Sequence, residues 1–575
     1  MSEELTIGTE RVDDLPVLLT QLDKMSVATL LDEHFPGHGN WRGLSLGITC
    51  VVWLGHILSQ ANHRLNHVEP WAEKRLTALQ ACLGQPVRAL DWSDDRLACI
   101  LDKLSDDSCW AAFERALGEQ LIRVYDLRAK RVRLDSTTAS SYAQVTPEGL
   151  FQFGHSKDHR PDLPQLKVQL SALDPLGLPL SSTIVSGERA DDRLYVPEIQ
   201  RVQQTLGQRG LLYVGDCKMA ALETRAYLAS SGDFYLCPLP KVQLSAAELS
   251  QLLQPVWSGE QALTVIEQTT ADGQQYQLAQ GYEYRHHLTA QVGEAQVSWQ
   301  ERLLIVRSLS LLQRQEAGLQ GRLAKAQAEV LALGERKQGK HRFRTAEELS
   351  QAVQQIIRHH RVEGLVEGQV SETVRERTVR GYGGREARVI SEHEFSVQLV
   401  VDEVALAQAI RELGWQVYVT NHPPVGLSLT EAVLAYRSEY LIERDFGRLK
   451  GRPLSLRPMY LASDDRVKGL LRLLTVGLRV LTLLEFEVRR QLAAQQDTLA
   501  GLYAGQVKRT TARPTAEKLL AAFEGITLTK FGEAEQMRYH ITPLSRLQQH
   551  IIELLGFPPD LFAQLVSILT NALLE

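Results

Sequence analysis

Three acidic residues far apart in the chain, Asp135, Asp216 and Glu443, stand where a carboxylate can do chemistry. Arg131-Val132-Arg133-Leu134 alternates with a period of two, as a short strand does, and ends on Asp135. The small hydroxyl residues Ser136, Thr137 and Thr138 follow. Leu211-Leu212-Tyr213-Val214-Gly215 repeats the design and delivers Asp216. Glu443 lies in a helix-like run from Tyr436 to Lys450. Two strand-end aspartates and a helix-borne glutamate can surround a pair of hard cations. Such a pair activates an attacking oxygen and stabilises a leaving one, which is what cutting a phosphodiester needs. Each aspartate taken singly also reads as an ordinary cap or turn residue. The helix face also reads as a solvated surface with Glu–Arg pairs. Against that, Leu441, Ile442, Phe446 and Leu449 form an apolar stripe, so the helix packs on something. His359 and His360 are adjacent on a helix and diverge, so they offer no competing zinc site.

A chain of 575 residues is too long for one core, and its spacing suggests several domains. Residues 1–125 read as helical, with Leu46 to Leu58 as a central apolar helix. Residues 126–240 change to strands. Leu166 to Leu173 alternates like a half-exposed strand, Asp174-Pro175-Leu176-Gly177 is a turn, and Pro179 to Val185 returns as a hairpin partner. With a helix from Tyr195 to Leu206, the Asp216 strand and a helix after it, the order is β-β-β-α-β-α. Residues 241–414 interrupt this with mixed strands and long helices. The sheet resumes at Trp415, and residues 415–495 carry helices at Thr430 to Lys450 and Arg466 to Ala494. Residues 496–575 read as a helical tail. The ends of an inserted segment must lie close together, so Pro240 and Trp415 are expected as neighbours.

Leu134-Asp135-Ser136-Thr137-Thr138, Gly154-His155-Ser156-Lys157-Asp158, Val214-Gly215-Asp216 and the series Tyr436, Glu443, Lys450 together resemble the DDE transposases of bacterial insertion sequences. The resemblance is to the broad group of insertion-sequence family four, which carries an inserted domain before its last carboxylate. That group's final-helix signature is Y-x2-R-x3-E-x6-K, and Tyr436, Glu443 and Lys450 match it in spacing. Glu439 stands where the signature has arginine, with Arg437 and Arg444 as substitutes. The match covers about residues 126–240 and 415–480. It implies an α/β protein with an RNase H-like mixed-sheet core, an α+β insertion domain and helical flanks. It also implies Asp135, Asp216 and Glu443 as catalytic metal ligands for Mg²⁺ or Mn²⁺. The implied partners are double-stranded DNA, as inverted-repeat ends and target, and a second copy of the chain on that DNA. The rival readings are an RNase H-like nuclease that cuts without joining, and a non-catalytic DNA-binding descendant, to which the Glu439 departure points.

Charge sharpens the DNA expectation only locally. The formal net charge is −6, and residues 1–125 hold 18 acidic against 11 basic residues, unlike a helical DNA-binding module. Residues 436–480 reverse this, with ten Lys/Arg against five Asp/Glu. Tyr436, Arg448, Lys450 and Arg452 there, with Arg457 and Lys468, are candidate DNA contacts, as are Lys157 and Arg160 in the polar loop. A solvated surface is the plain alternative for each. Trp299 reads as packing rather than as a platform for a displaced base. The six cysteines form no CxxC pair and read as buried reduced thiols, which suggests the cytoplasm. Met1-Ser2-Glu3-Glu4 begins no apolar signal core, and no apolar run is long enough to span a bilayer.

Overall fold

The alternating stretches after residue 130 form strands, and short crossovers arrange them. The computed structural model describes residues 6–37, 41–269, 273–334, 343–380, 388–506, 508–533 and 537–571. It is a mixed α/β protein that divides into two compact units, one of residues 1–237, 287–299 and 435–575, the other of residues 238–286 and 300–434.

In the first unit, β1 (Arg131–Ser140), β2 (Gln165–Asp174), β3 (Leu178–Ser186), β4 (Leu212–Val214) and β5 (Phe234–Pro238) lie in the order β3-β2-β1-β4-β5. β1, β2 and β3 pair antiparallel, whereas β1 with β4 and β4 with β5 pair parallel. A parallel neighbour requires a crossover. Helix α1 (Asp192–Leu206) supplies it before β4, and α2 (Leu222–Ser230) before β5. β2 is buried at all of its positions, not half exposed as its alternation suggests. Both α1 and the helix α3 (Tyr440–Lys450) pack on it, so its polar residues must be paired inside. Lys167 accordingly meets Asp191 at 2.6 Å.

The helices of the N-terminal third gather round α4 (Asp464–Gln495). This helix is leucine-rich on all sides and is buried from Val467 to Val488 at most positions, as an all-round apolar helix must be. One fully buried ion pair ties it in. Arg479 donates to Glu114 Oε1 at 2.7 Å, to the Pro179 carbonyl at 2.9 Å and to the Leu180 carbonyl at 3.1 Å. Glu114 in turn accepts from the Ser182 amide at 3.0 Å and hydroxyl at 2.9 Å. Helix Asp107–Val124, α4 and β3 are thereby joined at one point.

The tail is not wholly helical. Thr527–Gly532 pairs antiparallel with Thr6–Arg11 at one edge and with Arg538–Ile541 at the other. Its Leu528 is buried between partly covered threonines, a period-two pattern too short to outweigh the helical residues around it. Its partner is more than 500 residues away, which no local reading can supply.

In the second unit, Trp415–Thr420 pairs antiparallel with Ala295–Ser308, in the register Trp415 to Arg307. Helices Leu309–Gly334 and Ala346–His360 pack against a long ribbon, Val366–Val379 with Arg388–Val401, around Val330, Leu349, Val353, Ile357 and Val397. The Leu239 amide donates to the Val417 carbonyl at 2.8 Å, so the chain enters and leaves the intervening stretch at one place. No disulfide joins any of the six cysteines; Cys50 and Cys237 are buried, and Cys99 is exposed. No helix among the described residues is long and apolar enough to cross a membrane; Met1 to Leu5 lie outside the described residues.

Candidate active site

Asp135 does not end its strand. β1 continues to Ser140, because its antiparallel pairing with β2 persists to Ser140–Gln165 and sets Asp135 opposite Leu170. What ends near Asp135 is the parallel ladder on the other side, which runs Arg131–Leu212, Val132–Tyr213, Arg133–Val214 and stops. Two further residues on each chain lead to Asp135 and to Asp216. Asp135 is thus still on β1, whereas Asp216 lies two residues beyond the end of β4, near enough for its charge to act on Asp135.

The surroundings of each carboxylate differ. Asp135 Oδ1 accepts from the Ser136 amide at 2.7 Å and from Lys157 Nζ at 3.3 Å. Lys157 also donates to the Ser136 carbonyl at 2.6 Å and hydroxyl at 2.9 Å. Burial raises the Asp135 pKa above the usual carboxylate range; Lys157 opposes this, and the charge of Asp216 adds to it. Asp216 Oδ1 accepts from the Tyr195 hydroxyl at 2.6 Å and from the Lys218 amide at 2.8 Å. Tyr195 is fully buried on α1, and burial, then Asp216 and Asp135, hold its hydroxyl protonated to well above the usual range. Gly215 makes room for this contact, since a Cβ there would meet Met219 Sδ at 2.8 Å and the Tyr195 ring at 3.2 Å. The sequence marks Tyr195 only as part of an amphipathic helix, and nothing local says that its hydroxyl reaches a strand 21 residues on.

Glu443 is exposed on α3 and lines a cavity of about 480 Å³ together with Asp135, Lys157, Lys450 and Arg457. Glu439 is the half-buried carboxylate at the N-terminus of the same helix. Burial raises its pKa first, followed by the charges of Asp135 and Glu443, with Arg133 opposing and Asp216 adding a further rise. The expected single helix over Thr430 to Lys450 is two helices, Leu429–Arg437 and α3, broken at Ser438 and Glu439. Arg133 reaches from β1 to the carbonyls of Ala435, at 2.5 Å, and Tyr436, at 3.4 Å, and so takes acceptors at the break. Tyr436 therefore lies on a different helix from Glu443 and Lys450, and sevenfold spacing alone does not align it with them.

The expected DNA contacts separate into groups. Lys157 and Lys450 line the Asp135 cavity, with Lys450 held by Asp158 at 2.7 Å and Arg457 held by the same carboxylate at 3.0 Å. Burial lowers the Lys450 pKa, and Asp158 opposes this. Arg160 is half exposed and pairs with Asp162 at 2.7 Å. Arg452 is exposed and lines a different cavity, with Arg11, Asp13 and Arg75. Lys468 pairs with Asp107 at 2.7 Å. Arg448 turns inward instead of meeting a phosphate: it is buried, bonds Glu485, and meets Glu517 at 2.8 Å. Its place in the basic run suggested surface, but its step along the helix from Phe446 and Leu449 puts it on α4. Trp299 is buried and donates to the Tyr235 hydroxyl at 2.8 Å, a packing role.

The donor set around Asp135 is carboxylate oxygen, which suits a hard divalent cation, and its mutual repulsion is what such a cation would relieve. Among the described residues no three His, Cys, Asp or Glu side chains are gathered into a coordination shell, and the Lys157 ammonium is the cation on Asp135. Carboxylate oxygen is the donor type that a hard divalent cation takes, but these side chains are not gathered into a shell for one.

No family model matches the sequence, and no curated protein matches it. Among solved structures, the chain is similar to a piggyBac transposase in a synaptic complex with hairpin DNA, determined by cryo-EM, with a TM-score of 0.24 and 8% identity. The likeness covers 52% of this chain and 60% of that one, so this chain spans about three-fifths of the solved chain. At that score two chains need not share a fold.

Proposed function

We propose that this chain is a metal-dependent DNA transposase with an RNase H-like core. In this reading it binds the inverted-repeat ends of an insertion sequence, cuts one strand, and joins the freed 3′ hydroxyl to target DNA. The observation that supports it most is that Asp135 on β1, within reach of the charge of Asp216 beyond the end of β4, lines a cationic cavity that Glu443 also lines.

Cutting and joining are both in-line displacements at phosphorus. In the first, a water oxygen bonds to phosphorus as the bond to the 3′ oxygen breaks, and that oxygen leaves with a proton. In the second, the freed 3′ oxygen bonds to a target phosphorus as that phosphorus loses its bond to the target's own 3′ oxygen, which leaves with the proton given up by the attacking hydroxyl, so one site serves both. Asp135, Asp216 and Glu443 would hold Mg²⁺ or Mn²⁺, which when bound would favour a deprotonated nucleophile and offset charge on the leaving oxygen. Tyr195 orients Asp216 through its hydroxyl. Lys157, Lys450 and Arg457 line the cavity as phosphate partners, on side chains that Ser136 and Asp158 already hold in place. Glu439 tunes the charge from behind. A homodimer on DNA and a cytoplasmic setting belong to the same proposal.

The test has two stages. Purified protein with Mg²⁺ or Mn²⁺ is given supercoiled plasmid, and nicking is compared with that of Asp135→Ala. DNA ends with exposed 3′ hydroxyls are then tested for joining. Nicking without joining would turn the reading to a nuclease, and DNA binding without nicking to a non-catalytic descendant.

A further inference from the structure

We infer that the groove beside the Asp135 cavity is a stacking platform for an unpaired strand of DNA leading away from the cut; this rests on the proposed strand cleavage. The groove encloses about 940 Å³ and is lined by Tyr142, Arg160, Arg457, Met459 and Tyr460 among others. Arg457 lines both this groove and the Asp135 cavity, so the two adjoin at that side chain.

Its surface has the two properties that sequence-tolerant single-strand binding requires, namely exposed aromatic faces and cations along them. Tyr142 is 86% exposed and Tyr460 is 50% exposed, and Tyr142 is hydrogen-bonded to the Arg160 side chain. The Arg64 guanidinium lies 4.1 Å from the Tyr460 ring centroid and also bonds its hydroxyl. The His63 ring stands 5.8 Å from the same ring. Tyr460 is thus held in one orientation while half of it stays open. Arg160 and Arg457 add positive charge along the groove, each beside one carboxylate, Asp162 and Asp158, and Asp464 also lines it. A duplex buries its base faces against each other and has none to offer a tyrosine. An unpaired strand offers one at each nucleotide, together with a phosphate for each arginine.

The experiment uses the full chain, a fluorescent twelve-residue oligothymidine and a blunt duplex of equal length. The platform predicts tighter binding of the oligothymidine, weakened about tenfold or more by Tyr142→Ser with Tyr460→Leu. Tyr460→Phe, which keeps the ring, should retain most of the affinity, and duplex binding should be unchanged in all variants. Thermal melting confirms that the double variant is folded. Equal oligothymidine binding by wild type and the folded double variant overturns the platform, as does loss of duplex and single-strand binding in equal measure. Metal-dependent nicking by the wild type is read separately. Nicking with no tyrosine-dependent binding sinks the platform alone, whereas tyrosine-dependent binding with no nicking sinks the catalytic reading alone.

Discussion

Asp445 offers a sharp test of how α3 is held. It is fully buried on the face opposite Glu443, between arginines that are already engaged. Arg444 donates to Glu485 at 3.1 Å, and Arg448 serves both Glu485 and Glu517. Among the described residues neither oxygen of Asp445 has a hydrogen-bond partner. Burial, only partly offset by Arg444 and Arg448, pushes its pKa up from 3.8 to about 8. The folded state therefore keeps this acid neutral at pH 7, while the unfolded chain ionises it. Because the folded pKa is the higher one, its contribution to stability is whole below pH 3.8 and is lost as pH rises toward 8. A tenfold change in proton affinity is worth about 1.4 kcal/mol, so roughly 2 to 3 kcal/mol should disappear between pH 5 and pH 7 from this residue alone. Asp445→Asn keeps the shape and removes the titration. Urea unfolding of wild type and variant at pH 5 and pH 7 provides the check. The variant's advantage should be larger at pH 7 by about 2 kcal/mol, and the infrared carbonyl band of a protonated acid at pH 7 should vanish with the substitution. A difference that does not change with pH, or that favours wild type at pH 7, would mean that Asp445 is ionised and paired with an arginine, and the account of this contact would be wrong.

The remaining expectations concern the site and the core. Asp135→Ala, Asp216→Ala and Glu443→Gln should each abolish metal-dependent nicking while gel-shift binding of DNA persists, because affinity comes mainly from phosphate contacts; near-normal nicking by one variant removes that residue from the site. Glu439→Gln should weaken nicking only modestly, and a reversal of the Glu439 and Glu443 effects would transfer the third-ligand role to Glu439. Tyr195→Phe should fold normally and lower nicking about tenfold at limiting Mn²⁺, with recovery at high Mn²⁺, since a freed Asp216 costs about one hydrogen bond; no metal dependence of the defect would count against the positioning role. Glu114→Ala leaves the Arg479 guanidinium buried without its carboxylate and should cost about 3 to 5 kcal/mol in urea unfolding.

The amino-acid order by itself determined what local chemistry can encode. Alternation over Arg131–Leu134 and Leu166–Leu173 marked strands, Asp174 to Gly177 marked the turn from the second of these into Pro179 to Val185, and the leucine density of Arg466 to Ala494 marked a strongly apolar helix. It also singled out Asp135 and Asp216, because carboxylates at the ends of apolar runs stand out against their neighbours, and Glu443 through its spacing to Tyr436 and Lys450 in the resemblance. The tertiary structure decided everything that depends on partners far away in the chain. β2 is buried on both faces only because α1 and α3 both pack on it. Arg448 looks like a surface cation until Glu485 and Glu517 arrive from 37 and 69 residues downstream. Thr6–Arg11 becomes a strand only because Thr527–Gly532 lies beside it. The break that separates Tyr436 from Glu443 accompanies Arg133, some 300 residues earlier, which takes the Ala435 carbonyl. Periodicity and turn chemistry act over a few residues and can be read along the chain. Burial and charge pairing are settled by distances in space, and those exist only after the chain has folded.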